Sequence, residues 1–562
     1  DEAVADFTAA LDLTPDDPWV LASRGWAHRG AGRHDKAVAD LTAAIALDPD
    51  DAWMYASRGW AHRDAERYEE TVADMTAALE RDPGDAAFLG SRGEAHRQAG
   101  RLDASLRDLD EAITLDPAYA WGLAERGATH RAALRYEDAI ADCTAALAID
   151  PAFVWALAER GAAHQLAGHD DAAIADFTAV LAVDPRYVWA FAMRGVTHRL
   201  FGRYDEAVAD LTAALALYPA YAWALEERGR AHRQADRYDE AVADFDAAHA
   251  LAPDDAEVLA ARGFTHRLAG RLDDAVRDLT AALDLDPAYT WALAMRGSAH
   301  QRAGRYDEAV ADCTAALALD STYTWPRSLR AETHRLAGRF DDAAQDFDAC
   351  LALDPRDAWA LASRGQVRHE QGRSEEALAD LTAAIEIEPS GWMYQERARY
   401  LRQAGAFERA REDVERARAA DGTDPELTFE ELLLDTWVHG YAACAERWRE
   451  LLVESARTAD DWEPDPDTEA LFGLFRAVLL EPGTAVEEAV AAFRAAGLRR
   501  ETVMVTGECL DEIARADPDG AQAARARAAC RSLRETAPPP GSPPPGSSPP
   551  GSASPVVPPP AD

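Results

Sequence analysis

Residues 287–320 read PAYTWALAMRGSAHQRAGRYDEAVADCTAALALD, and this stretch of 34 residues recurs along most of the chain with little variation. The proline that opens it returns every 34 residues, except that Ser321 takes its place once. A fixed period in this range is typical of a solenoid, whose units bury their apolar faces only against their neighbours. The opening prolines are Pro15, Pro49, Pro83, Pro117, Pro151, Pro185, Pro219, Pro253, Pro287, Pro355 and Pro389.

Each unit has the apolar spacing of two helices. We count positions from the opening proline as zero. Apolar or small residues at +6, +10 and +13 lie on one helical face, and those at +22, +26, +29 and +30 lie on another. A glycine at +17, such as Gly304, predicts the end of the first helix. The unit is therefore predicted to form helix A, a tight turn and helix B, which ends at the next proline.

These positions resemble the tetratricopeptide repeat family in period, in Gly at +10, in Ala at +22 and +29, and in the closing proline. The variant here is R-G-x-x-H, as in Arg58, Gly59 and His62, and we interpret it as an actinobacterial-like subtype. The resemblance implies an all-α, right-handed superhelical solenoid of helix-turn-helix repeats. It also implies a concave groove that binds other protein chains rather than an enzyme.

The sequence predicts five segments. Residues 1–14 match only a helix B and form a truncated repeat, so we expect the natural chain to continue upstream. Residues 15–388 hold eleven repeats and 389–421 a degenerate final one. Residues 422–535 are helical without the period and are predicted to form a C-terminal cap. Residues 536–562 are rich in Pro, Gly and Ser and are predicted to be a disordered tail.

The composition argues against several classes of partner. A net charge of -43 disfavours nucleic acid, whose phosphates require basic side chains, and anionic membrane surfaces. No apolar run approaches the roughly 20 residues of a membrane span, and no signal peptide is evident. Six cysteines lack close pairing, and Cys143, Cys313 and Cys350 fall at apolar positions. We therefore expect buried thiols and a cytoplasmic, reducing location.

No catalytic, cofactor or metal site is predicted. The single lysine, Lys36, follows no glycine, so a phosphate-binding loop of the Walker kind is absent. Histidines recur at +13 from His28 to His334, but successive ones lie one repeat apart, too far to share a metal ion. They also share the apolar face of helix A. We therefore interpret them as structural.

Arginine at +9 and aspartate at +25 occur in every complete unit, as in Arg194 and Asp210. Both lie eight residues from the glycine turn, on opposite arms of the hairpin. Antiparallel packing should bring them together, so we predict an ion pair within each unit or with the next. The alternative is a row of arginines that binds an acidic ligand.

A second face of helix A carries Trp at +4 and mostly Arg at +14, and position +4 lies about 200° from the core position +6. In the family this face lines the concave groove. The longest unbroken row gives the candidate groove residues, which are Tyr119, Trp121, Arg131, Phe153, Trp155, Tyr187, Trp189, Arg199, Tyr221, Trp223 and Arg233. The rings either pack between adjacent A helices or anchor a peptide whose carboxylates contact the arginines, and both roles are compatible.

The function predicted from the sequence is a non-enzymatic scaffold or sensor arm that binds a protein or peptide in the groove. One version attaches this module to an upstream signalling domain. A second version is a free-standing scaffold that holds partners or self-associates through its uncapped N-terminal end. An enzyme with its activity in residues 422–535 is the third alternative, although that segment shows no catalytic constellation.

Overall fold

The computed structural model describes residues 1–421, 425–439, 441–454, 466–480, 486–495, 506, 509–511, 513–515 and 521–535. Within these ranges every regular element is an α-helix, and none is both long and apolar enough to cross a membrane. The predicted tail, residues 536–562, lies outside the described residues, as do parts of the predicted cap. The chain divides into two compact units, residues 1–252 and 253–562.

The first unit consists of one helix followed by seven A–B helix pairs that pack in succession. The helices are α1 (Glu2–Leu13), α2 (Pro18–Gly30), α3 (His34–Leu47), α4 (Ala52–Asp64), α5 (Tyr68–Arg81), α6 (Ala86–Gln98), α7 (Leu102–Leu115), α8 (Ala120–Ala132), α9 (Tyr136–Ile149), α10 (Val154–Leu166), α11 (Asp170–Val183), α12 (Val188–Leu200), α13 (Tyr204–Leu217), α14 (Ala222–Gln234) and α15 (Tyr238–Leu251).

The second unit continues with five A–B pairs and then helices without the repeat period. The paired helices are α16 (Ala256–Leu268), α17 (Leu272–Leu285), α18 (Thr290–Arg302), α19 (Tyr306–Leu319), α20 (Thr324–Leu336), α21 (Phe340–Leu353), α22 (Ala358–Glu370), α23 (Ser374–Ile387), α24 (Gly391–Gln403) and α25 (Phe407–Asp421). The others are α26 (Pro425–His439), α27 (Tyr441–Glu454), α28 (Pro466–Leu479), α29 (Val486–Ala495) and α30 (Ala521–Glu535).

The turn between helices A and B confirms the predicted helix end at +17. The residue there has a positive φ, which glycine adopts without a Cβ clash. Glu66, Leu134 and Asp236 replace the glycine and still have φ between 57° and 59°. The hairpin geometry therefore imposes this conformation even on side chains that disfavour it. The eight glycines at +17 are Gly32, Gly100, Gly168, Gly202, Gly270, Gly304, Gly338 and Gly372.

Helices A and B approach closely at the glycine of position +10. A Cβ added to Gly25 would lie 2.9 Å from Cγ of Leu41 and 3.3 Å from the carbonyl oxygen of Ala37. Ala37 and Leu41, at +22 and +26, are themselves fully buried. The small residues predicted from the repeat thus form the A–B interface, and any larger side chain at +10 would push the helices apart.

The predicted arginine–aspartate pairs are confirmed, and they form within each repeat. The guanidinium contacts the carboxylate through two parallel hydrogen bonds, with Nε–Oδ2 distances of 2.7–3.0 Å and Nη2–Oδ1 distances of 2.6–2.8 Å. Arg397 and Asp413 repeat the geometry in the α24–α25 pair. Such bidentate pairs fix the relative orientation of the two side chains and also stabilise the contact. They therefore connect helix A to helix B in every repeat.

The histidine at +13 lies beside the same aspartate. In nine repeats its Nε2 is 3.6–4.0 Å from Oδ2 of the paired aspartate. Burial lowers the pKa of these imidazoles, as for His198, although the carboxylate acts in the opposite direction. In the last full repeat Arg368 replaces the histidine and its Nη1 lies 2.7 Å from Oδ2 of Asp380. Position +13 therefore belongs to the polar cluster between the two helices.

The two ends of the repeat array differ, because α1 packs like a helix of the array and the helices after α25 share a hydrophobic core of their own. The carboxylate of Asp1 lies 3.0 Å from Nη2 of Arg33, and Asp35 contacts Arg67 in the corresponding way one repeat later. Helix α1 therefore takes the place of a helix B. Beyond α25, the fully buried ring of Trp448 contacts Phe429 at a centroid distance of 5.2 Å.

All six cysteines are free and buried, which confirms their prediction as small core residues.

Candidate functional site

The eight aromatic residues of the candidate groove lie at the starts of four successive A helices, α8, α10, α12 and α14. We call them the aromatic row: Tyr119, Trp121, Phe153, Trp155, Tyr187, Trp189, Tyr221 and Trp223. The +2 ring is the N-cap residue of each helix, and the Trp follows inside its first turn. All eight side chains are half-buried. The aromatic row is therefore neither fully buried in the core nor fully exposed to solvent.

The N-cap position differs between this row and the preceding repeats. Asp17, Asp51 and Asp85 cap α2, α4 and α6, and each carboxylate accepts two backbone N–H bonds. The aromatic N-caps of α8, α10, α12 and α14 make no such bond. Loss of an aspartate cap costs about 1 kcal/mol per helix. The rings must therefore contribute something that the aspartates do not, either packing or binding.

Part of that contribution is packing. Tyr119 and Trp121 pack together at 5.7 Å, and their rings also lie against Gly90 of α6. Trp121 and Trp155 stack between neighbouring helices at 6.2 Å with an interplanar angle of 29°. Trp189 instead contacts the buried ring of Phe177 in α11 at 5.7 Å. The structure thus brings the +2 and +4 rings of each repeat together and stacks one pair across repeats.

The arginines beside the row have partners of their own. Nε of Arg131 donates to Glu159 at 2.8 Å, and Nε of Arg199 donates to Glu227 at 2.9 Å. Both glutamates sit at +8 of the next A helix. Burial, with nearby cationic groups, lowers the pKa of Arg233 to about 10. The charges of Arg131 and Arg199 are therefore compensated within the protein, so a ligand carboxylate would compete with an existing ion pair.

The same pairing between repeats runs through the earlier helices, where the sequence analysis did not predict it. Nε of Arg97 donates to the buried carboxylate of Glu125 at 2.5 Å. Burial raises the pKa of Glu125 to about 7, and Arg97 limits that rise. In the sequence, this pairing is indicated by an arginine at +14 of one repeat and a glutamate or aspartate at +8, +11 or +15 of the next repeat.

A second aromatic cluster lies on the first repeats and was also missed. Trp53 stacks on Trp19 at 5.8 Å and on Trp26 at 5.7 Å, and Trp26 meets Trp60 edge-on at 5.9 Å. The signal was Trp at +11, which occurs in the first two complete repeats. In the second unit, Tyr289 with Trp291 and Tyr323 with Trp325 repeat the +2 and +4 arrangement.

No group of three or more His, Cys, Asp or Glu side chains within the described ranges is placed to hold a metal ion. The histidines at +13 instead face the Arg–Asp pairs, as described above. The polar chemistry of these repeats is thus ion pairing and hydrogen bonding between helices.

The family model for the tetratricopeptide repeat matches residues 1–52, 57–120, 193–256, 265–324 and 329–391, which together make up more than half of the sequence. The chain belongs to the tetratricopeptide repeat family. Proteins of this family are generally protein–protein interaction scaffolds and are typically not enzymes. No curated protein matches the chain.

Solved structures similar to this chain include other repeat proteins. A tetratricopeptide repeat protein from Parabacteroides merdae is 20% identical, with 43% of this chain and 96% of that chain covered and a TM-score of 0.38. The Cut9–Hcn1 hetero-tetramer of the APC/C is 13% identical, with 76% and 92% covered and a TM-score of 0.36. Yeast Tom70 is 16% identical, with 74% and 98% covered and a TM-score of 0.35. The family assignment rests on the repeat model and not on these scores.

Proposed function

We propose that this chain is a non-enzymatic scaffold or sensor arm whose aromatic row binds a peptide or protein segment in the groove expected for the family. The observation that carries the proposal is the run of four successive A helices that begin with two aromatic residues in place of an aspartate cap. Half-buried rings offer apolar area to a ligand at a small cost in side-chain entropy. Their shared position on successive helices suits an extended segment.

The ligand class follows from what surrounds the rings. Arg131 and Arg199 are paired with Glu159 and Glu227, so a ligand carboxylate would compete with those ion pairs, whereas aromatic faces accept apolar or aromatic side chains. We therefore expect an extended segment that contains aromatic residues, acidic residues or both. The actinobacterial-like R-G-x-x-H subtype and a cytoplasmic location belong to the same proposal, and cell fractionation tests the location.

The test compares two matched tryptophan pairs on the full chain. A display library of random 12-residue peptides selects binders, and fluorescence anisotropy measures their affinity. Trp155→Ala with Trp189→Ala should weaken the selected peptides at least tenfold and leave the helical circular dichroism unchanged. Trp19→Ala with Trp53→Ala, a pair at the same repeat position outside the row, should leave their affinity unchanged. Unfolding of the first double variant would assign those rings to packing alone.

A second candidate function is self-association through the N-terminal end, which exposed apolar side chains favour. Leu13 is 86% exposed and Trp19 is 55% exposed, and they lie in adjacent elements of the first unit. Sedimentation velocity of the wild type and of Leu13→Glu with Trp19→Glu tests this idea. The control is Leu319→Glu, which alters an exposed leucine of the second unit. A wild-type chain that stays monomeric at all concentrations excludes the proposal.

A further inference from the structure

The residue at +18, just after the turn between helices A and B, is arginine in every complete repeat except one. Arg101 shows the two neighbours of this position: its Nε donates to Nδ1 of the +13 histidine, His96, at 3.1 Å, and its Nη1 donates to Glu69 of the preceding repeat at 2.7 Å. The exception is His169, the N-cap residue of α11. Position +18 of this repeat therefore places a second imidazole beside the histidine at +13.

His164 and His169 face each other across the turn between α10 and α11, with their Nδ1 atoms 3.3 Å apart. Each ring also has a carboxylate near its other nitrogen. Nε2 of His164 lies 4.0 Å from Oδ2 of Asp176, and Nε2 of His169 lies 3.9 Å from Oε1 of Glu137. A carboxylate beside Nε2 favours the tautomer that carries its proton on that nitrogen. Both Nδ1 atoms are then left with lone pairs that face each other.

The separation of the two Nδ1 atoms, 3.3 Å, matches that of two ligands on one metal ion. Zn²⁺ binds histidine nitrogen at about 2.0–2.1 Å and prefers tetrahedral coordination, which places two of its nitrogen ligands about 3.3–3.4 Å apart. Carboxylates that accept the remaining ring N–H are the usual partners of metal-bound histidines. The side chain of His164 is 17% exposed and that of His169 is 47% exposed, so the pair is accessible from solvent.

We propose that His164 and His169 bind a divalent transition-metal ion such as Zn²⁺ through their Nδ1 atoms. Imidazole suits Zn²⁺, Cu²⁺ and Ni²⁺, whereas Mg²⁺ and Ca²⁺ prefer oxygen ligands. No group of three or more His, Cys, Asp or Glu in the described parts of the chain is placed to hold a metal ion. Water therefore fills the other coordination positions, and the ion exchanges with solvent.

The bound ion links α10 to the start of α11 in this repeat alone. The net charge of -43 favours the site, because it raises the concentration of cations near the surface. The sequence analysis compared only the +13 histidines, which lie one repeat apart. His164 and His169 are instead five residues apart on the two sides of one turn, so the turn itself brings them together.

The test measures Zn²⁺ binding to the full, untagged chain by isothermal titration calorimetry at neutral pH. The wild type should bind one ion. His169→Arg, which installs the residue that the other complete repeats carry at +18, and His164→Gln should each weaken binding by at least about tenfold, because each removes one of two protein ligands. The matched control is His198→Gln. It removes a +13 histidine that has Arg203 at +18, and it should bind Zn²⁺ as the wild type does.

A gain-of-function variant tests the same geometry in the next repeat. Arg203→His places a histidine five residues after His198, and Asp171, which contacts Arg203 at 3.3 Å, corresponds to Glu137. This variant should bind two Zn²⁺ ions, and Zn²⁺ should slow amide exchange over α12–α13 as well as over α10–α11.

The proposal is overturned if the wild type binds no Zn²⁺, if His169→Arg keeps the wild-type affinity, or if Arg203→His adds no second site. An equal loss of binding in His198→Gln also overturns it, because the ion is then held by scattered histidines. Displacement of Zn²⁺ by Mg²⁺ in about tenfold excess would show that carboxylates rather than imidazoles hold the ion, which contradicts the assignment as well.

Discussion

The Arg194–Asp210 pair offers a test of what holds each repeat together. Asp210 accepts hydrogen bonds from Nε and Nη2 of Arg194 at 2.8 and 2.6 Å, with His198 3.7 Å from the same carboxylate. The two paired side chains are 19% and 11% exposed. Arg194→Met keeps the aliphatic stem and removes the guanidinium. The variant leaves a buried carboxylate with no permanent cation beside it.

The expected loss follows from the contacts. Hydrogen bonds to charged groups contribute about 1.5–3 kcal/mol each, and two are lost. The loss of stability has an upper limit, because the carboxylate left without its arginine can instead be neutralised, and neutralising an ordinary aspartate at pH 7 costs about 4 kcal/mol. We therefore expect Arg194→Met to lower the free energy of unfolding by about 3 kcal/mol at pH 7.

The control is an ion pair of equal length but greater exposure. Nη2 of Arg67 lies 2.6 Å from Asp35, and the two side chains are 41% and 82% exposed. Arg67→Met should therefore cost less than about 1 kcal/mol. Solenoids unfold region by region, so amide exchange read separately over α12–α13 and α4–α5 is the suitable assay. Equal, small effects of the two substitutions would refute the claim that burial makes the Arg–Asp pairs strong.

Further predictions concern the turn, the helix contact and the histidines. Leu134→Gly should raise the free energy of unfolding by about 0.5–1 kcal/mol in a denaturant melt, because it relieves a leucine held at φ 59°. Gly25→Ala should destabilise by about 1–3 kcal/mol, whereas Gly30→Ala in the same helix, where a Cβ meets nothing within 4 Å, should be neutral or stabilising. Burial holds the pKa of His198 below that of the unfolded chain, so stability should fall as the pH drops from about 7 to 5. His198→Gln should weaken that pH dependence, and a melt series across this range measures it.

Much of the fold was predictable because its determinants lie within one repeat. The glycine at +17 sets the turn. Positions +9 and +25, equally distant from that turn, must meet when the two helices run antiparallel, and Arg194 and Asp210 do so. Local spacing suffices for such contacts. The proximity of His198 to the same carboxylate was not predicted, since the apolar pattern alone gave it a purely packing role.

The contacts between repeats were harder to predict, because they depend on the stagger of neighbouring A helices. Arg131 reaches Glu159 in the next repeat, 28 residues away. Nothing in the spacing of a single repeat relates +14 to +8 of the following one. The aromatic N-caps were noticed as rings but not as replacements for capping aspartates, since N-cap residues are identified only once the helix start is known.

Comparison of the repeats with one another distinguishes two sets of contacts between helices, which we call layers. The layer between helices A and B, formed by positions +9, +10, +22, +25 and +26, varies little in sequence along the chain, and its Arg–Asp pair at +9 and +25 recurs in all twelve described A–B pairs. The layer between successive A helices, formed by +2, +4, +8, +11 and +14, varies from one repeat to the next. Constant positions that make identical contacts account for the fold. The variable layer holds the aromatic row, so the differences between repeats lie where we propose that a ligand binds.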